Sequence, residues 1–156
     1  MNTETRMASS PKLAEVKLTY SAHPEQQDYP VLDSPDDVYG YLCDIWDTGK
    51  MELQEEFIVI LLNNALRVLG WQKISRGGKS ATIVDVPIVA TTALLANASS
   101  IIIAHNHPSG LLRPSTHDRN LTFRIKKALS YLSIQLEDHL IITRSGYYSF
   151  KSKGLL

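Results

Sequence analysis

The sequence predicts a mixed α/β domain, in which helices pack against a β-sheet that contains both parallel and antiparallel strands. Short apolar segments of strand character alternate along the chain with longer segments whose apolar residues recur at helical spacing. Two pairs of strand-like segments are separated by only a few turn residues, which indicates β-hairpins. Hairpins give antiparallel pairs and helical crossovers give parallel ones, so we expect a mixed sheet with helices on its faces.

The first part of the chain, residues 1–33, is interpreted as an extension that contains one strand. Within it, the segment LAEVKLTYS at residues 13–21 alternates apolar and polar side chains, as a half-buried strand does. A single domain is predicted over residues 34–156, and it opens with a helix. Ser34 is a favoured N-cap residue, and Pro35 is favoured at the first helical position. The apolar residues that follow at helical spacing are Val38, Tyr41, Leu42, Ile45 and Trp46.

The middle of the chain predicts a hairpin and a second helix. Strands at residues 57–62 and 67–75 are joined across Asn63 and Asn64, a residue type that tolerates the left-handed backbone of a tight turn. A glycine-containing turn at residues 75–80 leads to a short strand near residues 82–84. A helix is expected from about Pro87. Its inward-facing residues are predicted to be Val89, Ala93, Leu94 and Ala96.

The remaining elements are a central strand, a third helix and a second hairpin. Residues 101–104 are too short and too β-branched for a helix, so they are predicted to form a central strand. A helix is predicted over residues 118–132, and a hairpin pairs residues 140–143 with residues 147–150. The residues expected on the inner side of that helix are Leu121, Ile125, Ala128, Leu129 and Leu132.

The composition excludes several classes of protein. The 156 residues include 16 Lys and Arg against 16 Asp and Glu, so no net charge attracts nucleic acid or an anionic membrane. Cys43 is the only cysteine, which excludes an intramolecular disulfide and a zinc site built on cysteine pairs, and suits a reducing compartment. Cys43 lies beside the apolar stripe of its helix, so we expect a partly buried, structural thiol. No apolar run approaches the roughly 18 residues of a membrane span, so a soluble, cytoplasmic protein without a membrane partner is expected.

The segment IIIAHNHPSG, residues 101–110, carries the main functional signal. Side chains two apart on a strand point the same way, so His105 and His107 can direct both rings at one point. Asp118 follows eleven residues after His107 and could supply a third ligand at the start of the next helix. Two imidazoles and one carboxylate suit Zn²⁺ with an open fourth position, as in catalytic zinc sites. Ser115 and Asp118 also have the spacing of a helix capping box, a role that competes with metal binding for Asp118.

A hydrolytic zinc site also needs a general base, and the segment MELQEEF offers two candidates. Glu55 and Glu56 lie at the start of a predicted strand, and their side chains face opposite sides of the sheet. Strand parity alone does not choose between them. His117 and His139 are interpreted as non-ligands. Asp138 and His139 could support the ligands from behind, but structural roles are favoured for both.

The order His-x-His-Pro, six residues, Ser, two residues, Asp resembles the JAMM motif of the MPN-type (JAB domain) metallopeptidase superfamily. The segments AHNHPSG, PSTHD and LEDHLIIT resemble more narrowly the RadC family, over residues 52–156. This resemblance implies an MPN/JAB-like curved mixed β-sheet flanked by helices, with a cytidine-deaminase-like layout. It also implies a zinc-dependent hydrolase that cleaves a peptide or isopeptide bond by metal-activated water. The implied roles are zinc binding by His105, His107 and Asp118, general acid/base catalysis by Glu55, and support of the oxyanion by Ser115.

Three other functions are alternatives to a hydrolase. An accessory protein of DNA repair or recombination would use the basic residues between positions 113 and 127, but these are spread around a helix and the total charge is neutral. An HNH nuclease is excluded because its name refers to residues scattered through a ββα-metal motif, not to three neighbours. A metal-free scaffold is disfavoured because every ligand of the motif is present. The expected partner is a peptide or protein substrate, and the sequence determines neither that substrate nor the oligomeric state.

Overall fold

The computed structural model describes residue 21 and residues 28–76 and 83–156. The strand predicted at residues 13–21 and most of the turn at residues 75–80 therefore lie outside the described residues. Division of the chain into an extension and a domain at residue 34 stays a prediction.

The described residues form three helices and a five-stranded sheet. The helices are α1 Pro35–Ile45, α2 Val86–Leu95 and α3 Thr116–Ser130. The strands are β1 Glu56–Leu62, β2 Val68–Arg76, β3 Ser100–Asn106, β4 Gln135–Thr143 and β5 Gly146–Ser149. Their order across the sheet is β2-β1-β3-β4-β5. Only β3 and β4 pair in parallel, since α3 connects them, and the other neighbours are antiparallel. The predicted mixed sheet with two hairpins is confirmed.

The central strand β3 carries the start of the predicted metal motif. All seven of its residues are buried, and it pairs with β1 on one side and β4 on the other. The strand continues past Ala104, so that His105 lies within it, opposite Phe57 of β1. A strand that is covered on both faces reads as a continuous apolar run, which explains why residues 101–104 show no alternation.

Two apolar clusters cover the two faces of the sheet. On one face, alternate residues of β1 and β3 pack with Leu121 and Ile125 of α3 and with Val89 of α2. On the other face, the intervening residues of β1 and β3 pack with Val38 and Leu42 of α1. His105 follows Ile101 and Ile103 at the same parity, so its side chain lies on the face that α3 covers.

The N-termini of α1 and α3 are each stabilised by a capping box. Ser34 caps α1 and Ser115 caps α3, each accepting from the backbone N–H three residues later while that residue's carboxylate accepts in return. The predicted N-cap at Ser34 and proline at the first turn are therefore confirmed. The start of α3 is fixed by side chains that also belong to the predicted metal site.

Several local predictions are wrong. Residues 83 and 84 form no strand, and Ile83 is 90% exposed. Leu94 is predicted to face inward but is 53% exposed. Residue spacing could not identify the buried face of α2, because this helix is apolar on nearly every side. Leu132 is also exposed, since α3 ends at Ser130 and the chain turns there. Cys43 is exposed rather than partly buried, because it lies off the stripe that faces the sheet. No helix within the described ranges is long and apolar enough to cross a bilayer.

Candidate metal centre

The structure brings His105, His107 and Asp118 together, as predicted. His105 lies at the end of β3, His107 immediately follows that strand, and Asp118 lies in the first turn of α3. His105 Nε2 is 2.9 Å from His107 Nε2 and 3.3 Å from Asp118 Oδ1. His107 Nε2 is 3.6 Å from Asp118 Oδ2. His105 and Asp118 are buried, and His107 is partly buried.

These separations fit a tetrahedral metal. Ligand atoms at about 2.0–2.1 Å from a tetrahedral zinc lie about 3.3 Å from one another. The two Nε2 atoms are 2.9 Å apart, and His105 Nε2 is 3.3 Å from Asp118 Oδ1, so both separations are close to that value. The described residues offer this set as a possible metal site, with its ligand atoms within 4.8 Å of one another. Two imidazole nitrogens and one carboxylate oxygen are donors that zinc accepts, and three protein ligands leave one position open. The residues present therefore fit the metal that the motif predicts.

Asp118 combines the two roles that the sequence placed in competition. Its Oδ2 accepts from the backbone N–H of Ser115 at 2.7 Å and from the Ser115 hydroxyl at 2.7 Å. Its Oδ1 lies nearest to His105 and makes no capping contact. Burial would raise the pKa of Asp118, but its close contacts with His105, His107 and Ser115 hold that pKa well below its usual range. The carboxylate therefore stays ionised, with Oδ2 engaged in the helix cap and Oδ1 available beside His105.

A tight turn orients the His107 ring. The N–H of Gly110 donates to the carbonyl of His107 at 2.9 Å, and Gly110 has φ +76°, a left-handed conformation that favours glycine. The turn brings the Leu111 carbonyl to 2.7 Å from His107 Nδ1. A carbonyl only accepts, so Nδ1 carries the hydrogen and Nε2 is left free to bind a metal. Burial alone would lower the pKa of His107, but contacts with Asp118 and Leu111 and the charge of Glu55 raise it.

The two candidate bases lie in different environments. Glu55 directly precedes β1, is 9% exposed, and lies close enough to His107 for its charge to affect that ring. Glu56 is fully buried and binds Lys73, with its Oε2 2.7 Å from the lysine Nζ. The carboxylate of Glu56 is therefore engaged in an ion pair with β2, while Glu55 lies within electrostatic range of His107.

Asn106 has a structural role that sequence reasoning missed. Its side chain is fully buried, and its Oδ1 accepts from the N–H of Glu56 at 2.8 Å. Its Nδ2 donates to the carbonyls of Met51 at 2.6 Å and Gln54 at 2.9 Å. These bonds tie the segment that carries Glu55 to the strand that carries His105. The signal was a lone amide between two histidines in an otherwise apolar strand.

His139 lies outside the predicted ligand set, but its ring contacts one member of that set. Its Nε2 is 2.8 Å from Nδ1 of His105, and its ring stacks on Phe150 at a centroid distance of 4.5 Å. Complete burial, with the nearby charge of His105, holds the pKa of His139 well below its usual value of 6.5. His117 is exposed on α3 and contacts none of the predicted ligands in the described part of the structure.

The basic residues of α3 are less dispersed than the sequence indicated. Arg119, Lys126 and Lys127 line one shallow cavity of about 300 Å³ together with Phe123, which is 66% exposed. The expectation that these charges surround the helix is therefore wrong for three of them. Arg113 and Arg124 are exposed but do not line that cavity.

Comparison with known proteins identifies the family. A family model described as "RadC-like JAB domain" matches residues 32–155. A UPF0758 protein of Porphyromonas gingivalis is 48% identical over 104 residues, covering 66% of this chain and 46% of the relative. UPF0758 proteins of Thermotoga maritima and Clostridium kluyveri are 37% and 38% identical over 145 and 144 residues, each covering 92% of this chain.

The chain spans about half to two thirds of the length of these relatives, with 46%, 63% and 61% of each relative aligned. The name UPF0758 states no activity, so the relatives identify a family and not a reaction. The family model covers most of the chain, including the whole sheet and all three predicted ligands. The protein therefore belongs to the RadC family, whose domain is of the MPN/JAB type.

Proposed function

We propose that this protein is a zinc-dependent hydrolase that cleaves a peptide or isopeptide bond. The observation that carries the proposal is the convergence of His105, His107 and Asp118, whose ligand atoms all lie within 4.8 Å of one another, near the mostly buried carboxylate of Glu55. A purely structural site would need a fourth protein ligand, and the described residues offer only three.

Zinc bound by His105, His107 and Asp118 would supply a water of lowered pKa and would polarise the substrate carbonyl. The chain supplies the proton transfers. In this proposal the Glu55 carboxylate takes a proton from the attacking water and delivers it to the nitrogen of the leaving amine. Burial of Glu55 excludes competing solvent, and the ion pair of Glu56 with Lys73 keeps the second carboxylate away from the reaction.

Ser115 has a hydrogen-bond role in this structure that differs from the role the resemblance implies. The resemblance assigns its hydroxyl to the oxyanion, whereas in this structure that hydroxyl donates to Asp118 Oδ2. A hydroxyl has one hydrogen, so support of an oxyanion requires the hydrogen to turn away from Asp118. The backbone N–H of Ser115, which also donates to Asp118 Oδ2, would keep Asp118 in place during that rotation.

The test is hydrolysis of a fluorogenic peptide library and of Lys-ε-linked isopeptides by the zinc-loaded chain. Glu55→Gln should retain zinc and lose activity by a factor on the order of 10²–10⁴. Glu52→Gln is the matched control, because Glu52 is an exposed carboxylate of the same segment that pairs with Arg144 at the surface. A His105→Ala, His107→Ala double variant should contain no zinc. Equal activity of the two Gln variants, or no hydrolysis of any substrate by the wild type, would contradict the proposal.

A second candidate function is binding of single-stranded nucleic acid at the cavity lined by Arg119, Lys126 and Lys127. Three cations beside an exposed aromatic ring are the elements of backbone and base recognition. Affinity for a fluorescent oligonucleotide should then fall in an Arg119→Gln, Lys126→Gln, Lys127→Gln variant and should decrease steeply with salt. An affinity that the three substitutions leave unchanged would exclude this cavity as a nucleic-acid site.

A further inference from the structure

A chain of hydrogen bonds leads from the backbone of α3 to the ring of His105. Thr122 lies one turn after Asp118, and its side chain is buried. Its Oγ1 is 2.6 Å from the carbonyl oxygen of Asp118 and 2.6 Å from Nδ1 of His139. The hydroxyl has one hydrogen, and a carbonyl can only accept. The hydroxyl therefore donates to Asp118, and Nδ1 of His139 must donate to the hydroxyl.

This assignment determines the hydrogen on the next ring. A neutral histidine with a hydrogen on Nδ1 has only a lone pair on Nε2. Nε2 of His139 is 2.8 Å from Nδ1 of His105, so Nδ1 of His105 must be the donor of that bond. The hydrogen of the neutral His105 ring therefore lies on Nδ1, and its Nε2 lone pair faces His107 and Asp118.

The same pattern holds at His107, where the Leu111 carbonyl takes the Nδ1 hydrogen. Two Nε2 lone pairs then face each other at 2.9 Å with no hydrogen between them. Two lone pairs at that distance repel unless a cation lies between them. A carboxylate oxygen 3.3 Å from one of them completes an electron-rich pocket.

We propose that Thr122 and His139 are positioning residues that hold His105 in the tautomer whose Nε2 can bind a metal. The relay (Thr122, His139 and His105) starts at the carbonyl of Asp118, so the helix that carries one ligand orients another ligand. The proposal deepens the zinc site proposed above and rests on it. Hydrogen-bond partners of ligating histidines commonly affect metal affinity by about 10–100-fold, so a defect of that size is expected when the relay is broken.

The variants are chosen to break one bond of the relay without changing the shape of the core. Thr122→Val removes the hydroxyl and keeps the branched side chain, so His139 Nδ1 loses its acceptor. Thr122→Ser keeps the hydroxyl and should rescue the relay. Thr143→Val is the matched control, since Thr143 is a buried threonine of β4 whose hydroxyl binds Ser145 rather than a histidine.

Two measurements are made on the full chain. Zinc affinity is measured by competition with a chromogenic chelator, and the imidazole tautomers are read from long-range ¹H–¹⁵N spectra of the chelator-treated, metal-free chain. We expect Thr122→Val to bind zinc about 10–100-fold more weakly than Thr122→Ser, whereas Thr143→Val binds as the wild type does. In the wild type, the His105 hydrogen should be on Nδ1, and in Thr122→Val a population with the hydrogen on Nε2 should appear.

The outcomes separate this proposal from the zinc site. Equal zinc affinities of Thr122→Val and Thr122→Ser would overturn the relay while leaving the metal site intact. A wild type that binds no zinc would overturn the proposed function, and the tautomer of its metal-free His105 would still decide the relay. If Thr122→Val does not fold, the wild-type spectrum alone decides, because a hydrogen on Nε2 of His105 contradicts the proposal.

Discussion

Replacement of Asn106 by alanine should destabilise the fold severely. The Asn106 side chain is fully buried and makes three hydrogen bonds, which join the end of β3 to the segment before β1. Its removal leaves the N–H of Glu56 and the carbonyls of Met51 and Gln54 without these partners. A buried polar group that loses its hydrogen-bond partner lowers the free energy of unfolding by about 1–3 kcal/mol. The total for three adjacent groups should be less than the sum, because water is expected to enter and hydrogen-bond to some of them. We therefore expect Asn106→Ala to lower the free energy of unfolding by about 3–5 kcal/mol.

Urea denaturation followed by circular dichroism measures this change, provided that the m-values of variant and wild type agree. The melting temperature should fall by about 10 °C for a chain of this size. Asn120→Ala is the matched control, because Asn120 is exposed on α3 and its replacement by a better helix former should cost nothing. Asn106→Asp tests the donor half of the network: it keeps an acceptor for Glu56 but places a carboxylate against two carbonyls. A loss below about 1 kcal/mol in Asn106→Ala would refute the view that this amide holds the Glu55 segment in place.

Two further predictions concern buried charges. Lys73→Met leaves the buried Glu56 without its cation, and because Lys73 is partly exposed we expect a loss of about 1–3 kcal/mol in urea denaturation. Glu52→Gln, at a surface pair, should cost less than about 0.5 kcal/mol, and similar losses in the two variants would contradict this assignment. In the folded, metal-free chain, the lowered pKa of His139 keeps its ring neutral, whereas in the unfolded chain the ring takes up a proton near its usual pKa of 6.5. The contribution of His139 to the free energy of unfolding should therefore fall as the pH drops below about 6.5. Relative to His139→Gln, the free energy of unfolding of the wild type should fall with a slope approaching about 1.4 kcal/mol per pH unit, and a pH-independent difference would be the contrary result.

The features that the sequence predicted correctly depend on short stretches of chain. The capping box of Ser34, the two hairpins and the central position of β3 follow from residue types within one element or its turn. The proximity of His105 and His107 follows from the period of a strand, and the position of Asp118 follows from the start of α3. Sequence spacing is informative there because one continuous segment carries all three ligands.

The features that sequence reasoning missed or left open depend on contacts between distant elements. Asn106 binds residues about fifty positions earlier, and His139 reaches His105 only because β4 lies beside β3 in parallel. The buried face of α2 could not be identified either, because the helix is apolar on nearly every side. Only its packing against the sheet distinguishes the buried side from the exposed sides.

The sequence by itself determined the class of fold, the family resemblance and the three candidate ligands, since these follow from local periodicity and from one uninterrupted motif. The tertiary structure decided what surrounds those ligands. It pairs Glu56 with Lys73 and leaves Glu55 within electrostatic range of His107. It places Asp118 Oδ2 in the helix cap and Oδ1 beside His105, and it aligns Thr122 and His139 behind His105. The physical reason is that hydrogen bonds between elements depend on how strands and helices pack, and the spacing of residues along the chain does not contain that information.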